Sequence, residues 1–230
     1  MKDDYDKAIS DYSKWIELAP EDAAAYRDRG WAYCMKDDND RAIADYSKSI
    51  ALDPDNAETY RSRGEVYSGK GDYDKAIADF SKVIELNPDG EDAYFAAYWR
   101  RGVEYREHGD YDRAIADYSK LIELDPDNAE TYRSRGEVYS EKGDYDKAIA
   151  DGSRAIELDP DSAQAYFDRG RAYERKDDND KAAADYSRAL ELDPAHKEAR
   201  AGLDRARERK GGGKAVEGLC GTKETEGWGS

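Results

Sequence analysis

The chain has 230 residues, 40% of them Asp, Glu, Lys or Arg, with a formal charge of -17 and a mean hydropathy of -1.09. Leu, Ile, Val and Phe together number only 28, a composition that by itself points to disorder, and no run approaches the ~18 apolar residues of a membrane span. A pI near 4.6 sets the chain against nucleic acid and anionic membranes, whose phosphates require concentrated positive charge.

The N-terminus, Met1-Lys2-Asp3-Asp4-Tyr5-Asp6, has no apolar signal-peptide stretch, so a soluble, cytoplasmic chain is expected. Cys34 and Cys220 cannot form a disulfide framework, and His108 and His196 are too far apart in sequence to suggest zinc. Nineteen tyrosines oppose the disordered reading.

In chain order, residues 2–22 carry one apolar stripe, Ala8, Ile9, Tyr12 and Ile16, which predicts a single helix ahead of Pro20. From residue 23 a pattern recurs in windows 23–56, 57–90, 95–128, 129–162 and 163–196. Pro20, Pro54, Pro88, Pro126, Pro160 and Pro194 are spaced by 34, 34, 38, 34 and 34 residues, the punctuation of a helix-turn-helix array. The first helix of a window has the stripe Tyr60, Gly64, Tyr67, and the second has Tyr73, Ala76, Ile77, Phe80, Ile84. Gly and Ala columns mark where paired helices approach most closely. Lys70-Gly71-Asp72 reads as a left-handed cap followed by a helix start, and Asp55 with Glu58 as a capping box.

Three places depart from the period. Four extra residues after Pro88 equal about one helical turn, so the unit 91–128 is expected to have an extended first helix, beginning near Glu91 and placing Tyr94 at an edge. Gly152 fills a column otherwise Tyr or Phe, at about 1 kcal/mol of helix propensity, and reads either as a small pocket or hinge or as tolerated drift. Residues 2–22 form a second helix without its first. Residues 197–210 read as a polar capping helix and 211–230 as a flexible tail. Segments 53–68 and 125–140 are identical, the mark of recent duplication or of deliberate consensus construction.

On the columns of Tyr60, Gly64, Tyr67, Ala76, Phe80 and Pro88 the chain resembles the tetratricopeptide repeat (TPR) family over about 210 residues. The resemblance implies an all-α fold, a right-handed α-solenoid of antiparallel helix pairs. Eighteen of the 19 tyrosines then lie in four framework columns, which favours core packing over base stacking. Arg29, Arg63, Arg101, Arg135 and Arg169 stand where the family prefers Leu, and could pair with Asp45, Asp79, Asp117, Asp151 and Asp185.

The resemblance also implies a groove lined by the first helices, whose columns hold Arg27, Arg61, Trp99, Arg133 and Phe167, then Trp31, Glu65, Val103, Glu137 and Arg171, with Arg100 and Arg106 near the middle. Arginine and aromatic residues are the common binding anchors. One reading makes Trp99, Arg100, Val103 and Arg106 an anchor for a peptide with an acidic group or C-terminal carboxylate; the other has the arginines simply satisfied by Glu65 and Glu137. The family's Lys/Asn clamp for chaperone tails is missing. No catalytic set, cofactor motif or metal site is expected: the acidic turns lack a calcium-loop pattern, and Cys34 has no histidine nearby. The expected function is a non-enzymatic scaffold binding a peptide segment of a protein partner, with no nucleic-acid or membrane role. The alternative is a self-associating structural array, natural or engineered, joined head to tail through its terminal helices.

Overall fold

In the computed structural model, residues 2–86 and 91–219 are described. Pro88 and the start of the four-residue insertion fall outside them, as do Cys220 and Trp228 of the expected tail. The described residues form twelve α-helices and no strand: α1 (Lys2–Leu18), α2 (Ala23–Cys34), α3 (Asn39–Leu52), α4 (Ala57–Gly69), α5 (Tyr73–Leu86), α6 (Glu91–Glu107), α7 (Tyr111–Leu124), α8 (Ala129–Lys142), α9 (Tyr145–Leu158), α10 (Ala163–Arg175), α11 (Asn179–Leu192) and α12 (Lys197–Leu219). They fall into two compact units, Met1–Leu124 with α1 to α7, and Asp125–Ser230 with α8 to α12. Within each unit, consecutive helices pack as antiparallel neighbours, so each unit is a stack of helix pairs in the solenoid manner.

The helix boundaries follow from local chemistry. First helices are capped by Asp22, Asn56, Asn128 and Ser162, whose side chains accept from Ala24, Thr59, Thr131 and Ala165 amides at 3.0 to 3.3 Å. The N-cap of α4 is therefore Asn56, one residue beyond the Asp55 on which the capping box with Glu58 was expected. The Asp53 carboxylate accepts the Asp55 amide at 3.4 Å, an Asx turn that keeps Asp55 in the loop and leaves Asn56 to open α4. The turns between paired helices require a left-handed residue: Gly71, Gly109 and Gly143 have φ of +73°, +80° and +90°, but Asp37 and Asp177 occupy the same column at +60° and +59°. A side chain in that region costs roughly 1–2 kcal/mol.

Helix α6 is 17 residues long, against 12 to 14 for the other first helices. Tyr94 lies near its start and is half-buried, its hydroxyl 3.2 Å from that of Tyr98, so it packs on a framework ring one turn along the same helix. The last helix also exceeds its expected length, running past residue 210 to Leu219 through Gly211-Gly212-Gly213. Glycine lowers helix propensity by about 1 kcal/mol per residue without forbidding helical dihedrals, and Lys214, Ala215, Val216 and Glu217 beyond it are compatible with a helix.

The core is built from small columns and a few rings. Ala42, Ala76, Ala114, Ala148 and Ala182 are 0 to 4% exposed, and Tyr46, Phe80, Tyr118 and Tyr186 no more than 2%. Gly30 lets the first helix lie directly on the ring of Tyr46, 3.1 Å from where a Cβ would stand. At Gly152 the missing ring is not replaced by open space: the stem of Arg169 closes to 3.1 Å of the absent Cβ.

The other tyrosines depart from the core assignment. Those of the first helices, such as Tyr60 and Tyr67, are only half-buried, because they stand on either side of a guanidinium. Arg63 lies 5.7 and 5.9 Å from these two ring centroids. Its Nε and Nη2 donate to the two oxygens of Asp79 at 2.9 and 2.8 Å, and Nη1 donates to Ser47 Oγ of the preceding repeat at 2.9 Å. The same bidentate pairing joins Arg29 to Asp45, Arg101 to Asp117, Arg135 to Asp151 and Arg169 to Asp185 at 2.7 to 2.8 Å. The five aspartates are 4 to 7% exposed. Each buried carboxylate thus has its own cation, which is the condition for tolerating it inside a protein.

Candidate functional site

The columns expected to bind are on the first helices, and the two units present them differently. In the first unit, Arg27 pairs with Asp28 at 2.9 Å and approaches Glu58 at 3.9 Å, while Arg61 pairs with Glu65 one turn on at 2.9 Å. Trp31 is 48% exposed, and the ring of Tyr5 meets it edge to face at 5.8 Å. Trp99 is half-buried: it stacks on Phe95 and meets the buried Tyr118 ring edge-on at 5.5 Å, so part of its surface is used within its own repeat. Arg100 is exposed and, among the described residues, has no ion-pair partner; Val103 and Arg106 are half-buried.

One buried acid here escaped the sequence reading. Glu104 is 2% exposed at the position held by Ala32 and Val66 in the other repeats of the unit. It accepts from Ser68 Oγ at 2.5 Å, and its Oε2 has no hydrogen-bond partner among the described residues. The signal was present, a carboxylate replacing an alkyl side chain in an otherwise apolar column, but column reading for groove residues passed over it.

In the second unit, most of the groove charges neutralise one another. Arg133 donates to Glu130 at 2.9 Å and Asp168 at 3.2 Å, and pairs with Glu137 at 3.0 Å. Asp168 also accepts from Gln164 at 3.1 Å. Burial, with the Glu137 charge adding to it, pushes the Asp168 carboxyl up to about 6 despite the guanidinium beside it. The reading in which the arginines are satisfied by Glu65 and Glu137 therefore describes Arg61 and Arg133, while Arg27 is satisfied by its neighbour Asp28.

The far end of this unit is different. Helices α10 and α12 flank an open-sided cavity of about 650 Å³ lined by Phe167, Arg171, Glu174, Arg175, Glu198, Ala201, Arg205 and Arg209. Phe167 is 8% exposed and is held by the rings of Tyr186 and His196 at 5.9 and 4.6 Å. The Arg171 guanidinium lies 5.7 Å over the Phe167 ring and 3.9 Å from Asp168. Glu174 is the fixed point: it accepts from Arg205 Nε and Nη2 at 3.0 and 3.1 Å and from the Tyr186 hydroxyl at 2.7 Å, with Arg209 at 3.4 Å. Burial opposes its charge, but the Arg205 and Tyr186 hydrogen bonds outweigh it and hold the carboxyl below the usual glutamate range. Arg175 is exposed and, among the described residues, has no carboxylate partner.

Four guanidiniums against two carboxylates make this cavity cationic in a chain of charge -17. Of its lining, the sequence reading had Phe167 and Arg171. It missed Arg175, which ends α10 one position beyond the columns followed, and Arg205 and Arg209, because α12 read only as a polar cap; the available signal was Arg205 and Arg209 four residues apart, on one face of that helix.

Thiol chemistry has no support at Cys34. The Tyr46 hydroxyl donates to its sulfur at 3.8 Å and burial pushes the thiol up, which suppresses the thiolate. No helix among the described residues is long and apolar enough to cross a membrane.

Family models described as tetratricopeptide or TPR repeats match residues 2–57, 32–98, 102–143, 136–177 and 163–196. No curated protein matches the chain. Among solved structures, YrrB, described as a TPR protein with an unusual peptide-binding site, is 25% identical, with 83% of this chain and 96% of that one aligned at a TM-score of 0.68. The MamA protein is 31% identical over 76% of this chain and 93% of that one, also at 0.68. MamA from Desulfovibrio magneticus RS-1, residues 41 to its end, shares the fold at 23% identity, over 76% and 97% of the two chains, again at 0.68.

Proposed function

The chain belongs to the tetratricopeptide repeat family, and on that premise we propose that it is a non-enzymatic scaffold holding an acidic peptide segment of a partner protein against its first helices. The observation that carries this is the α10–α12 cavity. It is a recess with an aromatic wall, Phe167, in which Glu174 holds Arg205 and Arg171 and Arg175 supply cationic charge beyond that pair. YrrB, a relative with a peptide-binding site, supports peptide capture as the use of such a surface. Fold alone does not fix a ligand; the excess of arginine does, by selecting negative charge. Arg171 and Arg175 are the contacts free to turn toward a ligand, whereas Arg205 and Arg209 are tied to Glu174. In the first unit, Arg100 beside Trp99, Val103 and Arg106 offers a second cationic contact of the same kind.

The test is fluorescence anisotropy of labelled acidic peptides with a free C-terminal carboxylate, against their C-terminal amides and against neutral peptides of equal length. Arg171→Glu/Arg175→Glu is expected to weaken binding of acidic peptides at least ten-fold, and raised salt to weaken it further, since exposed charges are screened. Unchanged affinity in that variant, or equal affinity for neutral peptides, refutes the reading. A larger effect of free acid over amide at constant side-chain charge identifies the C-terminal carboxylate as the recognised group.

A further inference from the structure

The cavity between α10 and α12 stands where the repeat pattern changes. In register with Arg171 and Arg175, the earlier first helices hold Trp31 and Met35, Glu65 and Gly69, Val103 and Glu107, and Glu137 and Glu141, whereas α12 again holds two arginines, Arg205 and Arg209. Both helices thus carry Arg-x-x-Glu-Arg, at 171–175 and 205–209, and all four arginines line the same recess. These positions belong to none of the Tyr, Gly, Ala or Pro columns that build the repeat, so packing of the array gives no reason for the doubled pattern.

The two glutamates of the pattern are used unequally. Glu174 is buried and accepts from Arg205 and Tyr186, whereas Glu208 is exposed and outside the lining. With Glu174 and Glu198 set against four guanidiniums, the recess keeps a formal charge of +2. A guanidinium has five N–H donors. Arg205 spends Nε and Nη2 on Glu174 and keeps Nη1, while Arg171 and Arg175 donate no hydrogen bond among the described residues; Arg171 rests over the Phe167 ring with Asp168 at 3.9 Å. Four residues apart, Arg171 and Arg175 are neighbours on one face of α10. Arg205 and Arg209 come from α12 and meet at Glu174, 3.0 and 3.4 Å from its Oε1. Donors therefore reach the recess from two helices.

Resting on the reading of this cavity as the acidic-peptide site, we propose that the group it takes is a phosphate monoester, a phosphorylated side chain of the partner segment. A single carboxylate offers one charge and two oxygens in one plane, which leaves half of the +2 unmatched and serves donors on one side. A phosphate monoester has a charge of about −1.5 to −2 at neutral pH and three strong acceptor oxygens. It matches the charge, and its tetrahedral array serves guanidiniums arriving from both helices, each able to bond it bidentately. The chain's charge of -17 opposes any extended anionic surface, such as a membrane or nucleic acid. A short peptide segment brings its phosphate to the recess without laying such a surface against the rest of the protein.

The probes are four labelled, C-terminally amidated acidic peptides that differ only at one central position: Ser, Glu, γ-carboxyglutamate or phosphoserine. γ-Carboxyglutamate puts two carboxylates on one side chain, which separates charge from tetrahedral geometry. Anisotropy titrations with the full chain are expected to show phosphoserine binding about ten-fold or more tighter than Glu, and about three-fold or more tighter than γ-carboxyglutamate. Arg175 is exposed, so Arg175→Gln keeps the melting temperature, and it is expected to cut the preference for phosphoserine over Glu to about three-fold or less. Equal affinity for phosphoserine and Glu, with both above Ser, overturns the phosphate assignment and leaves the acidic-peptide reading standing; no gain over Ser in any of the three overturns both. Equal affinity for phosphoserine and γ-carboxyglutamate, or an undiminished preference in Arg175→Gln, also overturns the proposal. So does displacement of the phosphoserine peptide by inorganic phosphate as readily as by its own unlabelled form, which makes the free anion the ligand, or tighter binding to vesicles containing phosphatidylinositol phosphate, which makes it a membrane.

Discussion

Removing Arg101 should do more harm than removing Arg101 together with its partner. Asp117 is 4% exposed, and burial already pushes its carboxyl above the ordinary aspartate value with the guanidinium in place. Arg101→Leu strips away two charge-assisted bonds of 2.8 and 2.7 Å and the 3.0 Å bond to Ser81. It leaves that carboxylate buried and unpaired, at a cost of about 3–5 kcal/mol. In Arg101→Leu/Asp117→Ala the stranded charge is gone. What remains is loss of the Ser81 bond and of the Tyr98 and Tyr105 faces, 5.2 and 5.7 Å from the guanidinium, together about 1–2 kcal/mol. The double variant should therefore be more stable than Arg101→Leu alone by ~2 kcal/mol, a reversal that additive effects cannot produce. Thermal and urea unfolding of the wild type, both single variants and the double variant measure this. A double variant as unstable as Arg101→Leu, or more so, would refute the claim that an uncompensated buried charge dominates the cost.

Two further outcomes follow from the same structure. The raised Asp168 pKa means that the folded chain holds a proton between about pH 4 and pH 6 that the unfolded chain releases, so this group favours folding at low pH and the benefit is lost as pH rises through 6. With a shift from 3.8 to about 6, Asp168→Asn should be up to ~3 kcal/mol more stable than wild type at pH 7.5. That advantage should narrow toward zero at pH 4; parallel stability curves would contradict it. Asp37→Gly and Asp177→Gly place glycine at φ of +60° and +59° and should each add ~1 kcal/mol, additively because they lie in separate units. No rise in urea midpoint for either would show that these aspartates are not strained.

The framework was readable because each repeat reports it independently. The proline spacing, the Gly30 and Ala42 columns and the turn at Gly71 are local requirements of backbone approach and dihedral angle, which a sequence states directly. The Arg29–Asp45 pairing was also visible, as two columns 16 residues apart, although its bond to Ser13 was not: serine in a helix has many partners within reach, and only packing selects one. The binding surface was harder. Arg133 looked like an anchor, yet Glu130, Glu137 and Asp168 consume it, and such neutralisation depends on side-chain reach between helices. The α10–α12 cavity joins Arg171 to Arg205 across more than thirty residues, in a helix outside the period, where column reading has nothing to compare.

The serine that receives each arginine is itself committed. Ser13, Ser47, Ser81 and Ser153 donate their hydroxyl protons to the carbonyl four residues back, at 2.7 Å, and are left with lone pairs toward Arg29, Arg63, Arg101 and Arg169 of the next repeat. The seam between repeats is thus a polarised coupling, acceptor upstream and donor downstream, identical at each of these joints. Any unit bearing serine on its outgoing helix and arginine on its incoming one can be spliced in without a new contact being devised. A segment such as 53–68, which recurs unchanged at 125–140, carries the arginine half of such a joint in Arg63, so duplication that copies it together with a serine-bearing second helix can change the number of repeats while the joint chemistry stays constant.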